Sequence, residues 1–486
     1  MSAHRSALLL ALVAGAGCEP STSAPAPSAK RAPPETAPTS VTTAHMRAEV
    51  EDCSSARDED RDGRIGCRGR IGLSIELPDE MQRVTAIVPR ADGRVTLAGV
   101  LKGYEARPPS FVVTLDATGK RSSLRRLSGA VFHAAGDDRG GIYLVGQYHD
   151  GVEHLRVGET KTCPRPYTIN PSGFALRLTD DGEPAWCFVI GAGATAASVR
   201  AIAIDARGHA WVAGRIGFPR TSAYFAELDR EGGAVFVWRG EGAGEVSSSR
   251  GHDVAITEDG DAVFTGWVEG IFPFGTPKDA QRARITAASG GILFRVGPGG
   301  TLRWTRSLGE HTMATHVAVT PETQVVLSGS FRHVLDFGGR RLLPAEGRGV
   351  ILTHGDDGTP QRAVQLSEAA FIDLVDDDTH SFVGRKTRGY AGLWEQGTLV
   401  AMHPRGHRVV ASTYQGRFKG FGRSFTSASP RAGVVALVDE SGAPFWVTNL
   451  GDNQLIHAVA VDPMGRVWVG GSDVISNRAT VTRLDP

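Results

Sequence analysis

The sequence predicts an all-β fold, a β-propeller of four-stranded blades, and three observations predict it. One hairpin signature, a turn followed by an apolar run ending near glycine, returns eight times between 91 and 471. A second hairpin signature alternates with it, six times between 111 and 442. The two ends of the chain carry complementary pieces of one unit. Self-similarity at a fixed spacing of tens of residues marks a repeat architecture.

The first signature reads ADGRVTLAG (91–99), DDRGGIYLVG (137–146), DARGHAWVAG (205–214), TEDGDAVFTG (257–266), TPETQVVLSG (320–329), DDDTHSFVG (376–384), HPRGHRVVAS (403–412) and DPMGRVWVGG (462–471). A turn glycine accommodates positive φ, and Val, Ile, Trp and Tyr fill the strand behind it. The second reads FVVTLDATGK (111–120), FALRLTDDGE (174–183), FAELDREGG (225–233), ILFRVGPGG (292–300), VILTHGDDG (350–358) and VVALVDESG (434–442). Tryptophan follows its glycine at fixed distance, Gly182 to Trp186, Gly300 to Trp304 and Gly442 to Trp446, with Trp238 one residue later in its copy. Trp186, Trp304 and Trp446 are therefore expected to pack between blades. Two hairpins make a four-stranded sheet, and starts at 111, 174, 225, 292 and 350 lie 51 to 67 residues apart, room for four short strands and a variable loop.

The chain finishes TVTRLDP (480–486), which aligns with the opening FVVTLD of a unit, while Met81 to Val100 supplies only the second half of one. Pairing the N- and C-terminal strands in one sheet closes a ring and removes edges open to aggregation. Seven blades result. Splitting the region 350–433, with an extra blade beginning near Gly392, Leu393 and Trp394, gives eight as the alternative.

Composition narrows the rest. At 41% hydrophobic and 22% charged, with 61 glycines in 486 residues, the chain is neither collagen, nor wholly disordered, nor a polytopic membrane protein. Basic and acidic residues balance at 53 each, so no net field draws it to nucleic acid. His4 and Arg5 precede an apolar run from Ala7 to Ala14 and small residues up to Cys18, the pattern of a secretory signal. The sequence thus divides into a signal peptide (1–17), a Pro/Ser/Ala-rich tether (18–46), a short Cys-bracketed acidic segment (47–80) and the propeller (81–486). An even set of four cysteines remains after Cys18. Three pairings are open, and short loops favour Cys53 with Cys67 and Cys163 with Cys187.

Between Cys53 and Cys67, Asp58, Asp60 and Asp62 alternate ahead of Gly63, a loop that points carboxylates at one centre and makes Ca²⁺ the candidate ion. The twelfth position from Asp58 is Gly69 rather than glutamate, so a complete EF-hand loop is excluded. The loop resembles the short calcium loops of thrombospondin type 3 repeats. A solvated acidic turn is the competing reading.

Gly15, Ala16 and Gly17 ahead of Cys18 resemble a bacterial lipobox, which implies lipidation at Cys18. The repeats F-x-x-x-L-D-x-x-G-x-x-x-W and A-x-D-x-x-G-x-x-x-x-G, with the loops IFPFG (271–275), HVLDFGG (333–339) and RFKGFG (417–422), resemble the bacterial β-propeller repeats of secreted and surface proteins. That family has no shared catalytic residues to carry over. The spacing from glycine to tryptophan is also similar to quinoprotein-type repeats. The T-G-K turn is kept only at Thr118-Gly119-Lys120, with no tryptophan after it, so no quinone is expected. Cofactor-free members of that group include a lipoprotein scaffold of the β-barrel assembly machinery.

Catalytic motifs are not evident. His149 and His154, His311 and His316, and His403 and His407 match no metal-ligand motif, and Asp376, Asp377 and Asp378 occupy a repeat turn. The expected function is a lipid-anchored, exported binding or scaffolding module at the bacterial envelope, facing a protein or glycan ligand and touching the membrane through its anchor alone. Its recognition surface would include segments 147–173, 270–290 and 414–433. The alternative is an envelope glycan hydrolase or lyase with paired carboxylates in the propeller channel.

Overall fold

A computed structural model describes residues 69–102, 109–148, 154–164, 171–191, 196–217, 221–239, 248–274, 283–344, 349–366, 398–414, 416–421, 423–429 and 431–485. These residues form a seven-bladed β-propeller, each blade a sheet built on four antiparallel strands. In blade 1 the strands run from axis to rim in chain order, Met81–Pro89, Val95–Leu101, Ser110–Leu115 and Arg121–Leu127. The innermost strands of blades 2 to 7 are Ala130–Gly136, Ala197–Ile204, Ser248–Ile256, Thr312–Val319, Leu399–Met402 and Gln454–Val461. Each packs on the next, and Gln454–Val461 packs back on Met81–Pro89, which closes the ring.

The count of seven is settled at the junction of blades 5 and 6. Thr312–Val319 packs directly on Leu399–Met402, and the Ser328 hydroxyl donates to the Thr398 carbonyl, so no blade stands between them. The copy at 376–384 lies outside the described residues. The other seven copies of the first signature are the seven inner hairpins.

Closure uses both ends. The outermost strand of blade 7 is Arg70–Glu76, paired antiparallel with Arg478–Asp485 from Arg70 opposite Asp485 to Glu76 opposite Thr480. Among the described residues the ring therefore takes in Arg70–Glu76, ahead of the Met81 start expected from the repeats. Met81–Leu101 belongs wholly to blade 1, and the piece completing blade 7 lies upstream of it. RIGLSIE has none of the turn signature that marks the other strands, so the repeats alone do not reveal it.

The blades are glued by apolar faces. Among the described residues, seven apolar clusters each draw on two adjacent blades, one cluster per junction. Between blades 3 and 4, Phe225 lies 4.9 Å from Phe264 and 4.8 Å from Phe294 in edge-on contacts and stacks on Trp238 at 5.2 Å. Aromatic pairs of this kind add about 0.5–1.5 kcal/mol each beyond their burial.

Strand alternation gives the ring two unlike faces. The turns joining first to second and third to fourth strands share one face; the second-to-third connections and the links between blades share the other. On the turn face the connections are tight. In D-x-x-G turns such as 137–140, 205–208 and 462–465, the aspartate carboxylate accepts two backbone N–H bonds and the glycine takes φ near +80°. On the opposite face, among the described residues, four second-to-third connections carry extra hairpin. These are His154–Val157 with Thr160–Pro164 in blade 2, the prolonged Ala262–Phe274 and Ala283–Gly297 in blade 4, Leu335–Phe337 with Arg340–Leu342 in blade 5, and Arg417–Gly420 with Arg423–Thr426 in blade 6.

Candidate functional site

The innermost strands carry a β-bulge at one register, found in blades 1 to 5 and 7, for example between Val131 and His133 and between Gly251 and Asp253. A bulge re-aims the side chains beside it. Because all seven innermost strands run in the same sense, position relative to the bulge is a level along the axis. One residue beyond it stand Ala86, His133, Ala201, Asp253, His316 and Ala458. Three blades place alanine there and three place a titratable side chain.

His133, Asp253 and His316 stand at one level along the axis, in blades 2, 4 and 5. Burial pushes His133 below the ordinary imidazole value, with Asp253 opposing the shift and His316 adding to it. Its Nδ1 accepts the backbone N–H of Ile202 at 3.4 Å. His316 Nδ1 lies 3.6 Å from Asp253 Oδ2. The Asp253 carboxylate accepts the N–H of Val254 and, across the junction to blade 5, the N–H of Val317, both at 2.9 Å.

At the bulge itself are Arg200, His252 and His457. Arg200 lies over the Phe132 ring at 5.3 Å, and His252 Nδ1 is 2.9 Å from the Ala314 carbonyl oxygen, to which it donates. His457 is pushed down to about 3 by burial and by Arg83. Two residues before the bulge, toward the elaborated face, come Arg83 and Arg250. Burial lowers Arg83 to about 9, so it stays charged at neutral pH. Arg250 lies over the Trp267 ring at 5.7 Å. The described innermost strands thus hold three arginines and four histidines against a single carboxylate, Asp253.

No ligand motif within a single loop marks this cluster, because its members come from three different blades. A legible signal was there: a polar residue four positions before the turn, where other copies have alanine. His311 and His316, close in sequence, do not share a loop: His316 is in an innermost strand and His311 in the link between blades 4 and 5. His403 and His407 close the inner turn of blade 6, with the His403 N–H donating to the His407 carbonyl. His154 begins the blade 2 hairpin, and His149 lies outside the described residues.

A second cluster, Asp205, His209 and Glu227, brings ligand-type atoms together in blade 3. Its donors are already engaged. The Arg207 guanidinium reaches Asp205 at 2.6 Å and Glu227 at 2.9 Å, His209 Nδ1 is 2.8 Å from Glu227, and Glu227 also accepts the N–H of Gly299 in blade 4. Against the cost of burial, Arg207, His209 and Trp211 hold the Asp205 carboxyl below the ordinary range. Trp211 donates to Asp205 at 3.2 Å, as Trp468 does to Asp462 at 3.2 Å in blade 7. The recurrence marks a turn lock, in which the Arg207 guanidinium bridges the two carboxylates.

The tryptophans of the outermost strands face the following blade. Trp186 donates to the Arg230 carbonyl at 2.8 Å and Trp304 to the Asp356 carbonyl at 2.8 Å. Trp446 lies against Gly69 at the start of the closing strand. In blade 3 the equivalent register position is Phe236, opposite Glu227 as Trp186 is opposite Arg177, whereas Trp238 packs into the aromatic cluster. Trp238 is therefore not a displaced member of the series.

Cys163 and Cys187 are joined by a disulfide, which ties the blade 2 hairpin to the outermost strand of blade 2. The same hairpin pairs with the rim of blade 1, Val157 opposite Leu127. Cys18, Cys53, Cys67, Asp58, Asp60, Asp62, the cluster 376–378 and the signal and tether segments lie outside the described residues.

No family model and no curated protein sequence matches the chain. Solved structures do resemble it. One is YCF48 bound to D1 peptide, with 12% identity over 85% of this chain and 96% of that one and a TM-score of 0.39. A glucose dehydrogenase shows 8% identity over 85% and 99% with a TM-score of 0.37. A protein of unknown function from Bacteroides caccae shows 12% over 72% and 94% with a TM-score of 0.36. Likenesses this distant leave function to the geometry of the chain itself.

Proposed function

We propose that this protein is an exported binding module, lipid-anchored at Cys18 to the bacterial envelope, that engages a protein or glycan through the face carrying the extra hairpins. The observation that carries the reading is the asymmetry of the ring. Among the described residues one face holds only tight turns, while the other is built out in blades 2, 4, 5 and 6. Elaboration of loops on one side of a rigid scaffold is how binding surfaces are made.

Chain direction gives the module an orientation. Arg70 opposes Asp485, at the end of a third strand, so the closing strand enters the ring on the tight-turn face. A tether running from Cys18 would join the ring on the tight-turn face and leave the hairpin-bearing face clear of the anchor. Metabolic lipid labelling of the wild-type chain and of C18A tests the anchor. Label in the wild type, absent from C18A together with release from membranes, is the expected result; an unlabelled wild-type chain free in the medium overturns it.

A further inference from the structure

We propose that His311 and His333, on the face that carries the extra hairpins, chelate a divalent transition-metal ion of the zinc class. The inference does not depend on that face engaging a partner, and the site is distinct from the calcium candidate Asp58, Asp60 and Asp62.

The two imidazoles come from different segments. His311 lies in the link between blades 4 and 5, and His333 lies at the start of the second-to-third connection of blade 5. Their ring centroids are 4.3 Å apart at an interplanar angle of 51°. Metal–nitrogen bonds of ~2.0–2.1 Å, meeting at an angle of ~90–110°, place the centroids of two imidazoles roughly 4.5–5.2 Å apart, so a small rotation of either side chain admits the ion. Both side chains are exposed, and among the described residues neither imidazole is engaged in a hydrogen bond or ion pair. Each neutral ring therefore has a lone pair to offer. His403 and His407 differ: their rings are 5.8 Å apart, and His403 Nδ1 accepts the N–H of Arg405 at 3.2 Å.

The backbone fixes this juxtaposition. The His311 N–H donates to the Ser289 carbonyl of blade 4 at 2.6 Å, and its carbonyl accepts the N–H of Arg332, the neighbour of His333, at 3.1 Å. His311 takes φ of +55°, uncommon for a residue other than glycine. Blade 7 repeats the construction, with Asn453 at φ +66° donating to the Arg431 carbonyl at 2.6 Å and accepting the N–H of Val474 at 2.8 Å. By register, Asn453 and Ile475 are the counterparts of His311 and His333. The fold thus prescribes the backbone here and leaves the side chains free to differ. Blade 5 places an imidazole at both positions.

Imidazole nitrogen suits Zn²⁺, Cu²⁺ and Ni²⁺, whereas Ca²⁺ and Mg²⁺ take oxygen. Among the described residues only Asp205, His209 and Glu227 bring three ligand-type groups together, so the pair has no third protein ligand. The other positions of a tetrahedral ion fall to water.

Calorimetric titration of Zn²⁺ into the full chain tests the site. Binding is expected, weakened at least about tenfold in H311N and in H333I. Cu²⁺ should bind more tightly than Zn²⁺, and Ca²⁺ should not compete. Both substitutions install the residues that blade 7 carries, so the ring should stay intact, which thermal melts check. Electron paramagnetic resonance at substoichiometric Cu²⁺ gives a second readout, with two nitrogens on copper in the wild type and fewer in either variant. No heat with Zn²⁺ up to about 1 mM overturns the proposal. So does equal affinity in wild type, H311N and H333I, or a wild-type copper spectrum without two nitrogens, a result that stands even where a variant fails to fold. None of these outcomes bears on whether the hairpins engage a partner, which is read separately by cross-linking.

Discussion

The indole N–H of Trp186 donates to the carbonyl of Arg230 at 2.8 Å, across the gap between blades 2 and 3, and its ring lies against Gly232. The relationship recurs around the rim. Phe236 meets Gly300, Trp304 meets Gly358, and Val364 meets Gly442, each an outermost strand touching the outer turn of the next blade. At all four glycines φ is positive and a Cβ would come within 3 Å of the neighbouring side chain. The turn glycine thus does two things: it adopts the backbone conformation, and it makes room for the preceding blade.

These two demands can be separated. Gly232 and Gly260 have φ of +87° and +83°, but a Cβ at Gly232 would lie 2.7 Å from Trp186, while at Gly260 nothing lies within 4 Å. G260A is expected to cost about 1–2 kcal/mol for the left-handed backbone alone. G232A should cost at least about 1 kcal/mol more, because the indole must shift. Denaturant unfolding of the two variants measures the difference, and equal losses would mean that the tryptophan contact is energetically neutral.

The disulfide between Cys163 and Cys187 closes a loop of sequence separation 24, for which chain entropy gives about 3 kcal/mol. Because the hairpin it holds also pairs with the rim of blade 1 through Val157 and Leu127, the loss in C163A/C187A should be greatest at blades 1 and 2. Hydrogen exchange is the measurement. Faster exchange confined to 121–190 is expected, and uniform loosening of the ring would argue against a local clasp.

Acid should weaken the ring before carboxylates protonate. His354 is pushed down to about 4 by burial and by Arg306, and His457 down to about 3 by burial and by Arg83. Between pH 6.5 and 4 the unfolded chain binds protons at these positions and the folded chain does not, so stability rises with pH through that window and falls on acidification. The slope is about 1.4 kcal/mol per pH unit for each histidine. Chemical denaturation at a series of pH values should show this fall, and H457Q should flatten it; an identical pH dependence in H457Q would contradict the assignment.

The architecture was legible because it is written in turns. A glycine needed at positive φ and an aspartate that accepts the turn amides recur by necessity, and Trp186, Trp304 and Trp446 follow at constant register. What escaped notice lacks that repetition. Arg70–Glu76 closes the ring with no turn of its own, and Phe236 takes the tryptophan position with a different residue. His133, Asp253 and His316 lie far apart in sequence and share one level only because the ring brings bulges from three blades to one axis. Repeats reveal what every blade shares, while a site is built from what single blades do differently.

The most direct test of recognition through the hairpin-bearing face uses two exposed residues of blade 7 on opposite faces. Ile475, in the second-to-third turn, is 77% exposed, and Met464, in the tight inner turn, is 52% exposed. A photo-cross-linking amino acid placed at each position in envelope-expressed protein reads which face meets a partner. Capture of one defined species from position 475, lost when the hairpins of blades 5 and 6 are shortened and absent from position 464, is the predicted result. Capture from 464 and none from 475 would contradict the account.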